Sequence, residues 1–170
     1  MKTILITGAT SGIGLAAAKK LANEKNQLIL CGRREHKLDE ISEELSKSTN
    51  VLSLCFDVSN KNKVSELLSN LPKEFCSIDI LINNAGNAHG LDTIQDGSLD
   101  DWDNMVDSNV KGLLYVSRVI IPKMIEQKSG HIINIGSLAG REVYEKGNIY
   151  CATKHAVNAI SKAMRIDLNK

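Results

Sequence analysis

The chain has 170 residues, of which 42% are hydrophobic and 24% charged, the composition of one ordinary globular domain long enough to bury a core. Its 21 basic and 20 acidic residues are interspersed and leave a formal net charge of +1, so it lacks the basic field that drives nucleic-acid binding. No apolar run approaches the roughly eighteen residues of a membrane span, and the apolar segment after Met1-Lys2 stops at Gly8, too short for a signal-peptide core, so the expectation is a cytoplasmic protein with no membrane partner.

Lys2–Thr7 is a β-branched run ending at a glycine and predicts a buried first strand. The turn through residues 8–14 leads into a helix over 13–23, with Leu15, Ala18 and Leu21 as its buried stripe. A second strand is expected at 27–31, after which Gly32-Arg33-Arg34 opens a polar helix to residue 46 with Leu38, Ile41 and Leu45 at helical spacing. The third strand, 51–56, runs into Asp57-Val58. Val64, Leu67 and Leu68 mark a helix over 61–71 that stops before Pro72. A fourth strand at 78–82 runs into Asn83-Asn84-Ala85-Gly86, and residues 87–97, rich in Gly, Asp and Asn, read as a loop. Ser98 is a good N-cap for a helix carrying Trp102, Met105 and Val106. That pattern continues past Asn109 through Leu113, Val116, Ile120 and Met124, with bends expected at Gly112 and Pro122. A fifth strand at 131–135 closes at Gly136, and a loop over 137–147 leads into a last helix, Asn148–Leu168.

Five strands alternating with helices predict an α/β fold: a doubly wound parallel sheet of the Rossmann type, strand order 3-2-1-4-5, in a single domain over 1–170. The two-half dinucleotide fold has a sixth strand, so the sheet is expected to be truncated before it. Cys31, Cys55, Cys76 and Cys151 lack C-x-x-C spacing, and the four histidines form no H-E-x-x-H pattern, so the cysteines read as buried free thiols and no metal site is expected.

Three stretches carry chemistry. Thr7 to Gly14 reads T-G-A-T-S-G-I-G between a strand and a helix; glycines there let the backbone approach a pyrophosphate, and the helix N-terminus offers free N–H groups and a favourable dipole. At the end of the second strand an acidic residue would bind the ribose 2′-hydroxyl of NAD, whereas Arg33 and Arg34 suit the 2′-phosphate of NADP, so NADP is favoured over NAD. The plain alternative, an exposed basic helix start, is opposed by the helix dipole. Tyr150 and Lys154 lie one helical turn apart on one face. At roughly 4 Å and an effective dielectric of about 20, an ammonium attracts a phenolate by about 4 kcal/mol, enough to make tyrosine a usable base. Small residues at Asn84-Ala85-Gly86 would let a ligand lie across the strand ends at the switch point.

Together these motifs resemble the short-chain dehydrogenase/reductase family in its compact single-domain branch. The matching residues are T-G-A-T-S-G-I-G from Thr7, Asp57-Val58, N-N-A-G from Asn83, Asn109 in D-S-N-V-K-G, Ser137 in I-G-S-L-A-G, and Y-C-A-T-K from Tyr150. Within the family the chain most resembles the NADP-dependent 3-hydroxy acid dehydrogenases that oxidise serine and allo-threonine, on N-A-G-N-A-H-G-L-D, G-H-I-I-N-I-G-S and G-N-I-Y-C-A-T-K.

The resemblance implies an NADP-dependent oxidoreductase acting on a small hydroxy acid or carbonyl compound. Tyr150 would be the general acid/base, with Lys154 lowering its pKa and binding the nicotinamide ribose. Ser137 would hydrogen-bond the reacting oxygen, and Asn109 would bend its helix and position a water connecting Lys154 to solvent. Gly8, Thr10, Ser11, Gly12, Ile13 and Gly14 would form the cofactor turn. Arg33, Arg34, Asp57 and Val58 would hold the adenosine end, with Asn84, Ala85 and Gly86 along the central ribose. A homo-oligomer, dimer or tetramer, is implied, joined through the helix around Asn109 and the last helix. Arg141, in the loop over the site, is a candidate for a substrate carboxylate, although a solvated loop arginine is commoner. Family members continue into a sixth strand and a substrate-covering segment beyond the equivalent of Lys170. The alternatives therefore stay open: a truncated, non-catalytic nucleotide-binding or oligomerising module, or a reductase of other substrate specificity.

Overall fold

Ile4, Leu5 and Ile6 are each at most 1% exposed, which requires a strand covered on both faces. They belong to β1 (Lys2–Thr7), the centre of a five-stranded sheet in the computed structural model, which describes residues 1–169. The order is β3-β2-β1-β4-β5 with every pairing parallel, where β2 is Asn26–Gly32, β3 Asn50–Cys55, β4 Ile80–Asn83 and β5 His131–Asn134. This is the doubly wound α/β arrangement expected from the alternation of strands and helices. Among the described residues no helix is long and apolar enough to cross a membrane.

Successive side chains along each strand face opposite layers. Ile4, Ile6, Leu28 and Leu30 meet Ala18 of α1 (Gly12–Leu21) and Leu38, Ile41 and Leu45 of α2 (Glu35–Leu45). Leu5, Ile29 and Leu81 meet Val64 and Leu68 of α3 (Lys61–Ser69) on the other face. After β4 come α4 (Leu99–Val106), a π-helical segment (Asp107–Gly112) and α5 (Leu113–Glu126), whose Val116, Ile120 and Met124 complete that second layer. The last helix, α6, covers Asn148–Leu168, the expected bounds.

The departures from expectation are local. Gly32 belongs to β2, paired with Cys55, and Phe56 N donates to Gly32 O at 2.9 Å. Arg33 and Arg34 therefore stand outside α2, which begins at Glu35, an acidic residue suited to a helix N-terminus. The helix around Asn109 runs unbroken from Leu99 to Glu126, but it contains a π-helical segment at Asp107–Gly112, and Pro122 lies inside α5. All four cysteines are free, but only Cys31 and Cys151 are buried; Cys55, at the end of edge strand β3, and Cys76, after a 3-10 turn, are exposed.

A buried polar chain fixes α6 to the sheet. Asn83 Nδ2 donates to Ser117 Oγ at 3.0 Å and to Asn134 Oδ1 at 2.9 Å, and Asn134 Nδ2 donates to Ser161 Oγ at 2.9 Å. Asn134 on β5 thus links β4 to α6, and Asn83 carries the chain on to α5. Asn134→Ala leaves the amide of Asn83 short of a partner in the interior and is expected to cost about 1–3 kcal/mol, read as a lower urea midpoint with an unchanged slope.

Candidate active site

The turn between β1 and α1 is held by the end of β4. Thr7 Oγ1 accepts from the backbone N–H groups of Asn84 and Ala85, each at 3.0 Å, and Asn84 Nδ2 donates to Thr7 O at 2.9 Å and Gly8 O at 3.0 Å. Two of the glycines serve this close approach. A Cβ at Gly14 would lie 2.4 Å from both Asn84 Nδ2 and Gly8 O, and Gly8 has φ +65° with Ala85 Cα 2.9 Å from where a Cβ would sit. Gly12 differs: its φ is +54°, yet a Cβ there meets nothing within 4 Å, because the turn opens onto a cleft. Ser11 at the N-cap makes no side-chain capping bond, so the first-turn N–H groups of α1 keep their capacity for an anion.

The cleft has a volume of about 650 Å³ and crosses the carboxyl ends of the strands. On the β2–β3 side its wall is Arg33, Arg34, Asp57 and Val58; on the β5–α6 side it is Ile135, Gly136, Tyr150 and Lys154, with Asn84, Ala85 and Gly86 between. Arg34 Nη2 donates to Thr10 Oγ1 at 2.7 Å and Ser11 Oγ at 2.9 Å, which sets its guanidinium against the glycine turn. Arg33 pairs with Asp57 at 3.2 Å.

Lys154 is 8% exposed, and its ammonium donates to Ile135 O at 2.9 Å and stands 6.0 Å from the ring centre of Tyr150. Burial lowers its pKa from the ordinary lysine value. Asn109, in the π-helical segment, is 2% exposed and does not reach the cleft wall. Its Oδ1 accepts from Asn87 N at 2.8 Å, and its Nδ2 donates to Asn87 O at 2.9 Å and Thr153 Oγ1 at 3.1 Å, so it clamps the loop after β4 to α6. Ser137 also lies off the cleft wall, its Oγ accepting from Ala139 N at 3.1 Å to cap a 3-10 turn. Gly14 is internal, packed on Asn84.

Tyr150 also borders a second cavity of about 440 Å³, with His89, Leu91, Tyr144 and Lys146 in its wall. Arg141 borders neither cavity. Sequence reasoning missed Tyr144 and Lys146 because the loop 137–147 carries no periodicity, their one signal being a short distance along the chain from Tyr150; His89 stands within the quoted N-A-G-N-A-H-G-L-D stretch but was given no role.

A model of the short chain dehydrogenase family matches residues 2–170. The chain belongs to the short chain dehydrogenase family. It is 43% identical over 166 residues to the NADP-dependent 3-hydroxy acid dehydrogenase YdfG of Escherichia coli strain K12, an alignment covering 98% of this chain and 66% of that protein. It is 44% identical over 167 residues to the NADP-dependent 3-hydroxy acid dehydrogenase of Schizosaccharomyces pombe, covering 96% of this chain and 64% of that one. Among solved structures, the closed form of serine dehydrogenase complexed with NADP+ superposes with a TM-score of 0.94 at 43% identity, over 98% of this chain and 66% of the other. The chain thus spans just under two thirds of the length of these relatives.

The residues of this short chain dehydrogenase suit a phosphorylated dinucleotide: an open glycine cradle at Gly12, uncapped N–H groups, and two guanidinium groups at the end of β2. Asp57 tunes that end. Burial works against its charge, but hydrogen bonds from Ser59 N (2.9 Å) and Ser59 Oγ (2.8 Å) and the Arg33 guanidinium outweigh it and hold the carboxyl below its ordinary range. A depressed folded-state pKa adds stability above the unfolded value and loses it as pH falls through the folded one. With Asp57 34% exposed, Asp57→Asn is expected to cost about 1 kcal/mol at neutral pH, and the melting curves of variant and parent should converge as pH falls below the ordinary carboxylate range.

Proposed function

We propose that this short chain dehydrogenase transfers a hydride between NADP and a small hydroxy acid or its carbonyl counterpart, of the 3-hydroxy acid type named in its relatives. The observation that carries the reading is that one cleft joins the glycine turn, both arginines and the Tyr150–Lys154 pair. When bound, NADP would supply the hydride acceptor for alcohol oxidation. The first-turn N–H groups of α1 would hold the pyrophosphate, and Arg33 and Arg34 the 2′-phosphate, each guanidinium having donors to spare beyond its present partners.

The Tyr150 phenol oxygen takes the substrate hydroxyl proton in this reading, with the Lys154 ammonium on the same helix face 6.0 Å from its ring centre. Ser137 Oγ accepts from Ala139 N, which leaves its own O–H free to donate to the reacting oxygen. Asn109 acts through others: with its amide committed to Asn87 and Thr153, it holds the cleft floor against α6.

Tyr150→Phe is expected to lower NADP-dependent oxidation of a short 3-hydroxy acid by about a hundredfold to ten-thousandfold, while calorimetry finds NADP binding preserved and tighter than NAD. Absence of turnover in the parent across a panel of hydroxy acids and ketones, with binding intact, would favour a non-catalytic nucleotide-binding module instead.

A dimer or tetramer in the cytoplasm completes the proposal, supported by Leu114 and Ile125 of α5 and Ile166 of α6, exposed at 41%, 61% and 73%, and by four free thiols. Sedimentation of the native protein from the cytosolic fraction is expected to give two or four chain masses. A monomer, or recovery from membranes, contradicts it.

A further inference from the structure

The second cavity beside Tyr150 contains a residue in a conformation its side chain does not favour. Lys146 has φ +63° at the third position of a four-residue turn closed by a bond from Gly147 N to Tyr144 O at 3.0 Å. A turn with positive φ at that position calls for glycine or asparagine, because a Cβ there crowds the backbone. Among the described residues Lys128, at φ 53°, is the other non-glycine residue of this kind, and it has an ordinary explanation: it follows α5 and returns its N–H to Ile125 O at 3.0 Å as part of a left-handed helix end. Lys146 ends no helix; it precedes α6. The backbone thus sets this exposed residue in a particular place.

That place is the wall of a cavity of about 440 Å³ shared with Tyr150. The wall carries Lys146 and His89 and no carboxylate. On its other side Lys146 borders a small crevice containing Asp92 and Asp101, yet it makes none of the four ion pairs found among the described residues. Lys146, an exposed residue paired with none of those carboxylates, thus lines the space next to the proposed proton acceptor. A substrate whose hydroxyl sits on Tyr150 shares that cavity with a lysine.

We propose that Lys146 is the specificity residue for a carboxylate: it binds the acid group of a short hydroxy acid whose alcohol carbon stands at Tyr150, with His89 as the second polar group of that wall. This rests on the proposed hydride-transfer function and adds to it the reason an acid is preferred over a neutral alcohol, assigned to a residue that neither its position in the family motifs nor its sequence context singles out.

The test is a calorimetric titration of the full chain, with and without saturating NADP, using 3-hydroxybutanoate and its uncharged methyl ester as probes. The parent is expected to bind the acid at least tenfold more tightly than the ester. Lys146→Met should abolish that preference by weakening the acid alone, and Lys146→Arg should keep it. Lys146→Gly should abolish it too while raising the melting temperature by about 2–4 °C, since glycine relieves the strained φ. Lys128→Gly, a matched change far from the cavity, should leave the preference intact. Equal binding of acid and ester by the parent, no binding of either, or a preference that survives Lys146→Met overturns the proposal. Because the readout is binding, a failure here is separate from a failure of hydride transfer, which the NADP titration and the Tyr150→Phe assay report on their own.

Discussion

The reversal of direction between β1 and β4 is the constraint on which the rest depends. From β1 the chain winds outward through β2 to β3, then crosses back to lay β4 on the other side of β1. The connections leaving β1 and β4 must part at their carboxyl ends, and a crevice opens there. Such a crevice would strand backbone groups without partners. Here the Thr7 hydroxyl and the Asn84 carboxamide close its floor with four hydrogen bonds of 2.9–3.0 Å. These same bonds draw the glycine turn so near to β4 that Gly8 and Gly14 have no room for a side chain.

The cleft also redistributes charge in a way that the whole-chain sum conceals. The formal net charge is only +1, but the cleft wall holds Arg33, Arg34 and Lys154 against the single carboxylate of Asp57. Charge lining a concave wall is focused, so an anionic ligand meets a local field that the exterior lacks. Lys154 stands apart among these groups because it is buried, with a depressed pKa, whereas the side chain of Arg33 is 64% exposed. A steering charge can remain in water; the Lys154 ammonium is instead held in place by Ile135 O.

What could be read in the sequence was whatever had a period or a compact motif. The strand order followed from alternation, α6 from its place after the fifth strand and loop, and the glycine turn and the Tyr150–Lys154 pair were local spellings of local geometry. What could not be read depended on distant partners. That Arg33 and Arg34 precede α2 follows from Gly32 pairing across to Cys55. That the Asn84 side chain is spent on the turn depends on how closely Gly14 approaches it. That Ser137 caps its own 3-10 turn, and that Asn109 grips Asn87 and Thr153, are matters of where loops settle. Lys146 was invisible for the opposite reason: its residue type argues against the backbone conformation it occupies.

The π-helical segment has a consequence for the timing of the long helix. Met105 and Met124, near its two ends, both point into the protein, at 1% and 6% exposure. They are 124 − 105 = 19 residues apart, and at about 100° per residue a regular α-helix would bring the second roughly 100° past the first after five turns. A wider turn that takes up one additional residue cancels that advance. The segment Asp107–Gly112 thus works as a phase corrector: it keeps the buried faces of two stretches of helix in line, and it does so at the turn that carries Asn109.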